Sequence, residues 1–291
     1  MARATTEQRK RSSRRAGRAT GGDEGRYVID LLRAFGGAIL FSFPMLMTME
    51  MWWLGFYMDP FRLALFTLFN IPVLIGLSYY GGFEATSNRM ADVLDAFAAY
   101  AVGFIVAALM LALFGVIGFG MPADEVIGKI SVQAVPASIG AILARRQFEK
   151  AETREEKRRS SRYGGALFLM AVGALYLSSS VASTEEILLI PYQMTPTHVF
   201  LLLVFSLLVM HAFVYAVLHQ SDTPAPTDAV TFWMVFARYT IVGYAIALLI
   251  GVYILWIFGR TEGMPLAQIV PATIVIGFPA ALGAGAFRLI I

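Results

Sequence analysis

Two glutamates stand at matching places within long apolar stretches of the chain. Glu50 precedes Pro60 by ten residues, and Glu186 precedes Pro196 by the same distance. If these stretches enter a membrane, a carboxylate there is costly, and a role in binding or conducting a cation becomes the first hypothesis. We therefore predict that Glu50 and Glu186 are carboxylates at the outer mouth of a transport pathway. Trp53 leaves the alternative open, because an aromatic belt would let a nearby carboxylate simply reach water.

Prolines and glycines repeat at matched positions as well. Pro136 and Pro279 each lie fourteen residues after the proline of a Met-Pro pair, and Gly140 and Gly283 follow them by one helical turn. Proline removes a backbone donor and kinks a helix, while glycine lets two backbones approach closely. Matched interruptions of this kind in two repeats indicate a transport site, so these four residues are predicted to line the pathway. Packing alone is the alternative.

Two further polar residues fall inside apolar stretches and are candidate intramembrane sites. His211 is expected to be a neutral, hydrogen-bonded core histidine rather than a proton relay. Arg238 is expected either to extend its side chain toward the membrane surface or to pair with Asp92, Asp95 or Asp228. Pairing is a structural role, and ligand binding by Arg238 is the alternative.

The sequence gives little support to metal, cofactor or enzyme chemistry. It has no cysteine, and it carries no nucleophile elbow, phosphate-binding loop, metalloprotease helix or dinucleotide-binding turn. Five methionines lie between Met45 and Met58 and invite a Cu(I) site, but residues two apart point about 200° apart on a helix, so packing is the better interpretation. We therefore predict no enzyme, no metal and no cofactor.

These residues must be positioned by membrane helices, because the composition excludes a soluble domain. Hydrophobic residues make up 58% of the 291 residues and charged residues only 15%, against about 25% charged in soluble domains. Apolar runs of about 20 residues are needed to cross a bilayer. Eight such runs are predicted, near 35–56, 62–80, 97–119, 126–144, 164–184, 197–218, 232–257 and 267–289.

The matched motifs predict an internal duplication. The predicted fold is an all-helical polytopic membrane protein with eight transmembrane helices arranged as two parallel four-helix repeats. Its predicted parts are a basic disordered arm at 1–33, a first repeat at 34–144, a charged linker at 145–162 and a second repeat at 163–291. Four spans in each half would return the chain to its starting side, so the repeats would be related by an axis along the membrane normal.

Basic residues predict the orientation in the membrane. Of the 23 Lys and Arg residues, nine lie in residues 1–33 and eight in the linker 145–162. Because cytoplasmic segments carry an excess of Lys and Arg, the N-terminus, the linker and the C-terminus are expected to be cytoplasmic. The two basic segments are expected to contact anionic lipid rather than nucleic acid. A homo-oligomer is also expected.

Two segments of the first half carry a resemblance to a known family. Arg33–Ala38 and Thr48–Pro60 resemble an uncharacterised family of bacterial integral membrane proteins of unknown function. The resemblance implies a protein of the bacterial inner membrane and implies no activity.

The functional hypothesis is a channel or secondary transporter for a small ion, more specifically a cation, with its pathway between the two repeats. The competing hypothesis is a membrane sensor or scaffold that conducts nothing and recruits a partner or lipids through its basic segments. A polar cavity between the repeats favours the first hypothesis, and a sealed bundle favours the second.

Overall fold

The computed structural model describes residues 29–81, 89–147, 163–220 and 233–290. Within those ranges the chain forms ten helices and no strand. We number them α1 (Ile29–Leu46), α2 (Met49–Tyr57), α3 (Pro60–Gly81), α4 (Arg89–Leu113), α5 (Ala123–Gln147), α6 (Tyr163–Ala182), α7 (Glu186–Gln193), α8 (Pro196–Gln220), α9 (Trp233–Ile257) and α10 (Leu266–Ile290). Most of the predicted basic arm and of the predicted linker lies outside the described residues.

Eight of these helices are long and apolar enough to cross a membrane, which confirms the predicted all-helical membrane fold. The other two, α2 and α7, have only nine and eight residues and are too short to span. The short helices and the turn after α9 border one cleft. Gly55 of α2 packs against Lys129, whose side chain donates to the Val116 carbonyl in the turn after α4. The end of the bundle that holds these segments is called here the cleft end.

The first span differs from the prediction of 35–56, because its helix ends at Leu46. Thr48 leaves the helical conformation, and side chains satisfy the carbonyl groups at the end of α1. The Trp52 indole N–H donates to the Leu46 carbonyl at 2.8 Å, and the Gln133 amide donates to the Met45 carbonyl at 3.2 Å. Glu50 consequently lies on the separate helix α2 rather than within the first span.

The polar residues of α5 are explained by its central position. In the 18-residue apolar window of the α5 span 83% of the residues are buried inside the protein, whereas only 17% are buried in the corresponding window of α8. Lys129, Gln133 and Ser138 are therefore enclosed by other helices instead of facing lipid. This is why the fourth span tolerates side chains that would be costly against hydrocarbon.

Both halves of the chain follow the same order of one long helix, one short helix and three long helices. The helices α4 and α9 also end in the same way, at glycines with positive φ: Gly115 at +70° and Gly259 at +72°. In each turn the next residue donates its backbone N–H back into the last helical turn, Val116 to Leu111 and Arg260 to Leu255. The helix α4 thus ends at Leu113, earlier than predicted, and the two-repeat arrangement stays a prediction that these matched ends favour.

Aromatic side chains join the two halves. Tyr176 of α6 packs edge-on against Phe41 of α1 with ring centroids 5.8 Å apart, and its hydroxyl donates to the Phe41 carbonyl. Phe66 of α3 packs edge-on against Phe258, which follows α9, at 5.5 Å. Edge-to-face pairs of this kind add specific contacts to the burial of apolar area.

Candidate functional site

The turn that follows each short helix is capped by a side chain at the start of the next span. Asp59 accepts hydrogen bonds from the N–H groups of Phe61 (3.0 Å) and Arg62 (3.1 Å), and Pro60 occupies the first position of α3. This is the preferred chemistry for starting a helix. The second half uses Thr195 before a proline in the same way. Each short helix is thereby fixed between the end of one span and the start of the next.

One face of α2 lines a cleft at the cleft end. Glu50, Trp53 and Tyr57 all border it, and their spacing of three and seven residues places them on one side of a helix. The opposite side of α2 packs against α5, where Gly55 lies so close that an added Cβ would be 2.4 Å from the backbone nitrogen of Lys129. Close packing on α5 therefore orients the Glu50 face toward the cleft.

The second short helix presents a matching face to the same cleft. Glu185, Leu188 and Tyr192 line it with the same spacing of three and seven residues. The Tyr192 hydroxyl lies 2.5 Å from the side-chain oxygen of Gln268 on α10, which fixes this end of the face. The cleft thus receives a glutamate, an apolar side chain and a tyrosine from each half of the chain.

The cleft between these faces has a volume of about 750 Å³. Its other walls are the start of α3 and the turn between α9 and α10. Four carboxylates (Glu50, Asp59, Glu185 and Glu262) and two guanidinium groups (Arg62 and Arg260) line it, so its formal charge is −2. A concave site with this charge attracts cations.

Both arginines of the cleft are already engaged by the protein. Arg62 forms an ion pair of 2.6 Å with Glu262 and lies over the Trp256 ring at 5.1 Å from its centroid. Arg260 donates from Nε to the Ala182 carbonyl at 3.1 Å and from its terminal nitrogen to the Ser183 carbonyl. Arg260 therefore satisfies the C-terminal end of α6, where positive charge is favourable. Among the described residues, Glu50 and Glu185 have no such ion pair.

Apolar side chains close the base of the cleft. Met58, Ile257 and Phe258 line it and are 9%, 0% and 2% exposed. The contact between Phe258 and Phe66 continues this layer toward the membrane interior. The cleft is therefore a vestibule open at one end.

Glu186, the second predicted pathway carboxylate, faces a neighbouring depression instead. That depression has a volume of about 400 Å³ and is bordered by Glu185, Glu186 and Arg260. The side chain is fully exposed, and its own backbone N–H, by hydrogen bonding to the carboxylate, lowers the pKa of Glu186. The structure thus brings Glu185, which sequence reasoning missed, together with Glu50, and places Glu186 beside them.

The four predicted proline and glycine positions lie at helix crossings. A Cβ added at Gly140 would lie 2.7 Å from the Gly37 carbonyl oxygen, and one added at Gly283 would lie 2.1 Å from the Gly173 carbonyl oxygen. Pro136 is buried beside the first crossing, and Pro279 is half-buried beside the second. Their assignment to a pathway stays a prediction, and the neighbours found at the two glycines are backbone and side-chain atoms of the crossing helices, including the Phe41 side chain at Gly140 and the Leu177 side chain at Gly283.

His211 and Arg238 lie on α8 and α9, away from the cleft. The Nδ1 atom of His211 is 2.9 Å from the hydroxyl of the buried Thr240, which supplies a hydrogen-bonding partner, and His211 itself is half-buried rather than part of the core. Arg238 lies in a π-helical turn, Phe236–Ile241, with its guanidinium 4.8 Å from the centroid of the Tyr163 ring. The structure shows no ion pair from Arg238 to the two predicted partners that it describes, Asp92 and Asp95.

Two buried polar pairs also went unpredicted. Lys129 forms an ion pair of 2.5 Å with Glu125, and both side chains are largely buried. The Asn70 amide donates to the Ser138 hydroxyl at 2.8 Å, and both residues are 0% exposed. Glu125 and Lys129 are four residues apart on one helix, a spacing that the sequence shows and that favours an ion pair. Asn70 and Ser138 are 68 positions apart, so no local spacing indicates their contact.

The carboxylates and histidines of the described ranges do not form a metal centre. No group of three or more of these side chains is placed to hold one metal ion there. The glutamates of the cleft instead lie on three different segments: Glu50 on α2, Glu185 just before α7, and Glu262 in the turn between α9 and α10.

Comparison with known proteins gives one match. The profile of the family described as "Putative integral membrane protein (DUF2391)" matches residues 30–291, which is nearly the whole chain and includes both short helices. Neither curated proteins nor solved structures give a match. The resemblance inferred from the first-half motifs is thereby confirmed, together with the integral-membrane character of the chain.

Proposed function

Because the chain belongs to the DUF2391 family of integral membrane proteins, we propose that it moves a small cation across the bilayer, as a channel or a secondary transporter, with no chemical step. The observation that carries this proposal is the open cleft between the two halves, with a formal charge of −2. A net negative charge in a concave site raises the local concentration of cations. The cleft would be the vestibule at the outer side of the membrane.

Glu50 and Glu185 are the residues that we propose to receive the cation. Glu50 projects from α2 and Glu185 from the position just before α7, one in each half, and neither forms an ion pair with an arginine of the cleft. The apolar base of Met58, Ile257 and Phe258 acts as the closed gate of this conformation. Alternating movement of the two halves would open it, since both halves contribute to that layer.

The test is cation uptake by proteoliposomes that contain the purified full chain. Uptake of radiolabelled rubidium, sodium and tetraethylammonium is measured for the natural chain and for Glu50→Gln plus Glu185→Gln. We expect uptake of at least one of these cations, and a loss of about tenfold or more in its initial rate on neutralisation. Asp124→Asn, an exposed carboxylate at the same end outside the cleft, is the matched control.

Glu186→Gln separates the two neighbouring carboxylates. Unchanged uptake assigns the role to Glu185, whereas a loss equal to that of Glu185→Gln returns Glu186 to the pathway. No uptake of any cation by the natural chain would overturn the transport proposal. It would favour the sensor or scaffold hypothesis, which the apolar base of the cleft supports.

A further inference from the structure

We propose that the ligand of the cleft is an organic ammonium ion rather than a bare metal ion. This inference rests on the transport function proposed above, because it names the class of cation that the same cleft would receive. Three observations carry it: the size of the cleft, the lack of a converging group of metal ligands among the described side chains, and the aromatic side chains that line the cleft beside its glutamates.

The size of the cleft and the arrangement of its carboxylates argue against a bare ion. A volume of about 750 Å³ lies in the range of pockets for small organic molecules, about 300–1,000 Å³. A metal ion requires several oxygen ligands converging within about 2.6 Å. The described His, Asp and Glu side chains form no such group, here or elsewhere in the described helices. Carboxylates that do not converge on one point suit a larger cation that touches them at different points.

Aromatic side chains stand next to both cleft glutamates. Trp53 and Tyr57 follow Glu50 on the α2 face and are 56% and 51% exposed, and Tyr192 follows Glu185 and is 60% exposed. The faces of aromatic rings bind ammonium groups, and tryptophan binds them best. Carboxylates and aromatic rings on one surface are the arrangement that recognises alkylated ammonium ions, since the charge and the apolar substituents are satisfied together.

A cation–π contact already exists beside the cleft. Arg62, which lines the cleft, holds its guanidinium 5.1 Å from the centroid of Trp256. Membrane anchoring is the competing explanation for exposed aromatic residues at this depth. Phe56 is the control that separates membrane anchoring from ligand binding, because it lies on the same helix as Trp53, is 67% exposed and does not line the cleft.

The test is calorimetric binding of tetraethylammonium and of rubidium to the full chain in lipid nanodiscs. We expect saturable binding of tetraethylammonium and at least tenfold weaker binding of rubidium. Trp53→Leu should weaken tetraethylammonium binding about three- to tenfold, from the usual strength of such contacts, and Phe56→Leu should leave it unchanged. Glu185→Gln should weaken it, and Glu186→Gln should weaken it less.

The outcomes separate this inference from the transport proposal. Rubidium uptake that depends on Glu50, with no binding of tetraethylammonium, would overturn the organic-cation assignment and leave transport standing. Saturable tetraethylammonium binding without uptake would support the assignment and remove transport. Equal losses from Trp53→Leu and Phe56→Leu would contradict the aromatic site, because only one of these residues borders the cleft.

Discussion

Replacing Gly37 by alanine should destabilise the protein, whereas the same change at its neighbour Gly36 should not. A methyl group at Gly37 would lie 2.0 Å from the Ala144 methyl and 2.6 Å from the Gly140 carbonyl oxygen. Ordinary contacts begin near 3.4 Å, so α1 and α5 must separate locally by about 1.4 Å. Overpacking of this kind costs about 1–3 kcal/mol, and the helical preference of alanine over glycine returns about 0.5–1 kcal/mol. The expected net loss is about 1–2 kcal/mol.

The assay is unfolding of the purified chain in detergent, followed as a free energy in a denaturant titration and as a thermal midpoint. Gly36 is exposed and has nothing within 4 Å of an added Cβ, so Gly36→Ala is the matched control and should be neutral or slightly stabilising. Ala144→Gly should recover part of the loss in the Gly37→Ala background, because it removes the nearer contact. Equal stability of Gly36→Ala and Gly37→Ala would refute the close crossing, and with it the packing role assigned to Gly140.

Three further outcomes are expected. Lys129→Met should lower the free energy of unfolding by about 2–4 kcal/mol, because it leaves Glu125 buried without its partner, and adding Glu125→Gln should recover most of that loss in the same titration. Arg62→Glu should lower the thermal midpoint slightly and Glu262→Arg should restore it; since Glu262 is 67% exposed, the pair is worth less than about 1 kcal/mol. A carbon NMR titration should show Glu186 protonating below the ordinary glutamate range. Its pKa is lower in the folded than in the unfolded chain, so its contribution to stability is present above the unfolded pKa and is lost as the pH falls through the folded pKa.

The membrane fold was predictable from the sequence because the spans are continuous apolar runs. Hydropathy does not show where a helix ends when side chains donate the hydrogen bonds to its last carbonyl groups. The first span therefore looked continuous through Glu50, although Trp52 and Gln133 satisfy the end of α1 at Leu46 and Met45. The same limit hid α2 as a separate element.

The candidate site was predictable in kind and only partly in residues. Proline spacing pairs Glu50 with Glu186, whereas the helical faces that reach the cleft pair Glu50 with Glu185. A shift of one residue turns a side chain about 100° around a helix, and spacing along the chain alone does not resolve that angle. The spacing of three and seven residues shared by Glu185, Leu188 and Tyr192 was the signal that would have found it.

Cysteine labelling measures directly whether the cleft attracts cations, whatever the transported cation is. The natural chain has no cysteine, so Leu188→Cys introduces one thiol on the cleft wall. Because the cleft carries a net negative charge, we expect a cationic methanethiosulfonate reagent to modify this thiol several times faster than an anionic one. Glu50→Gln plus Glu185→Gln should remove this preference. Equal rates for the two reagents, or a preference that survives the neutralisation, would contradict a cation-attracting cleft built from these two helices.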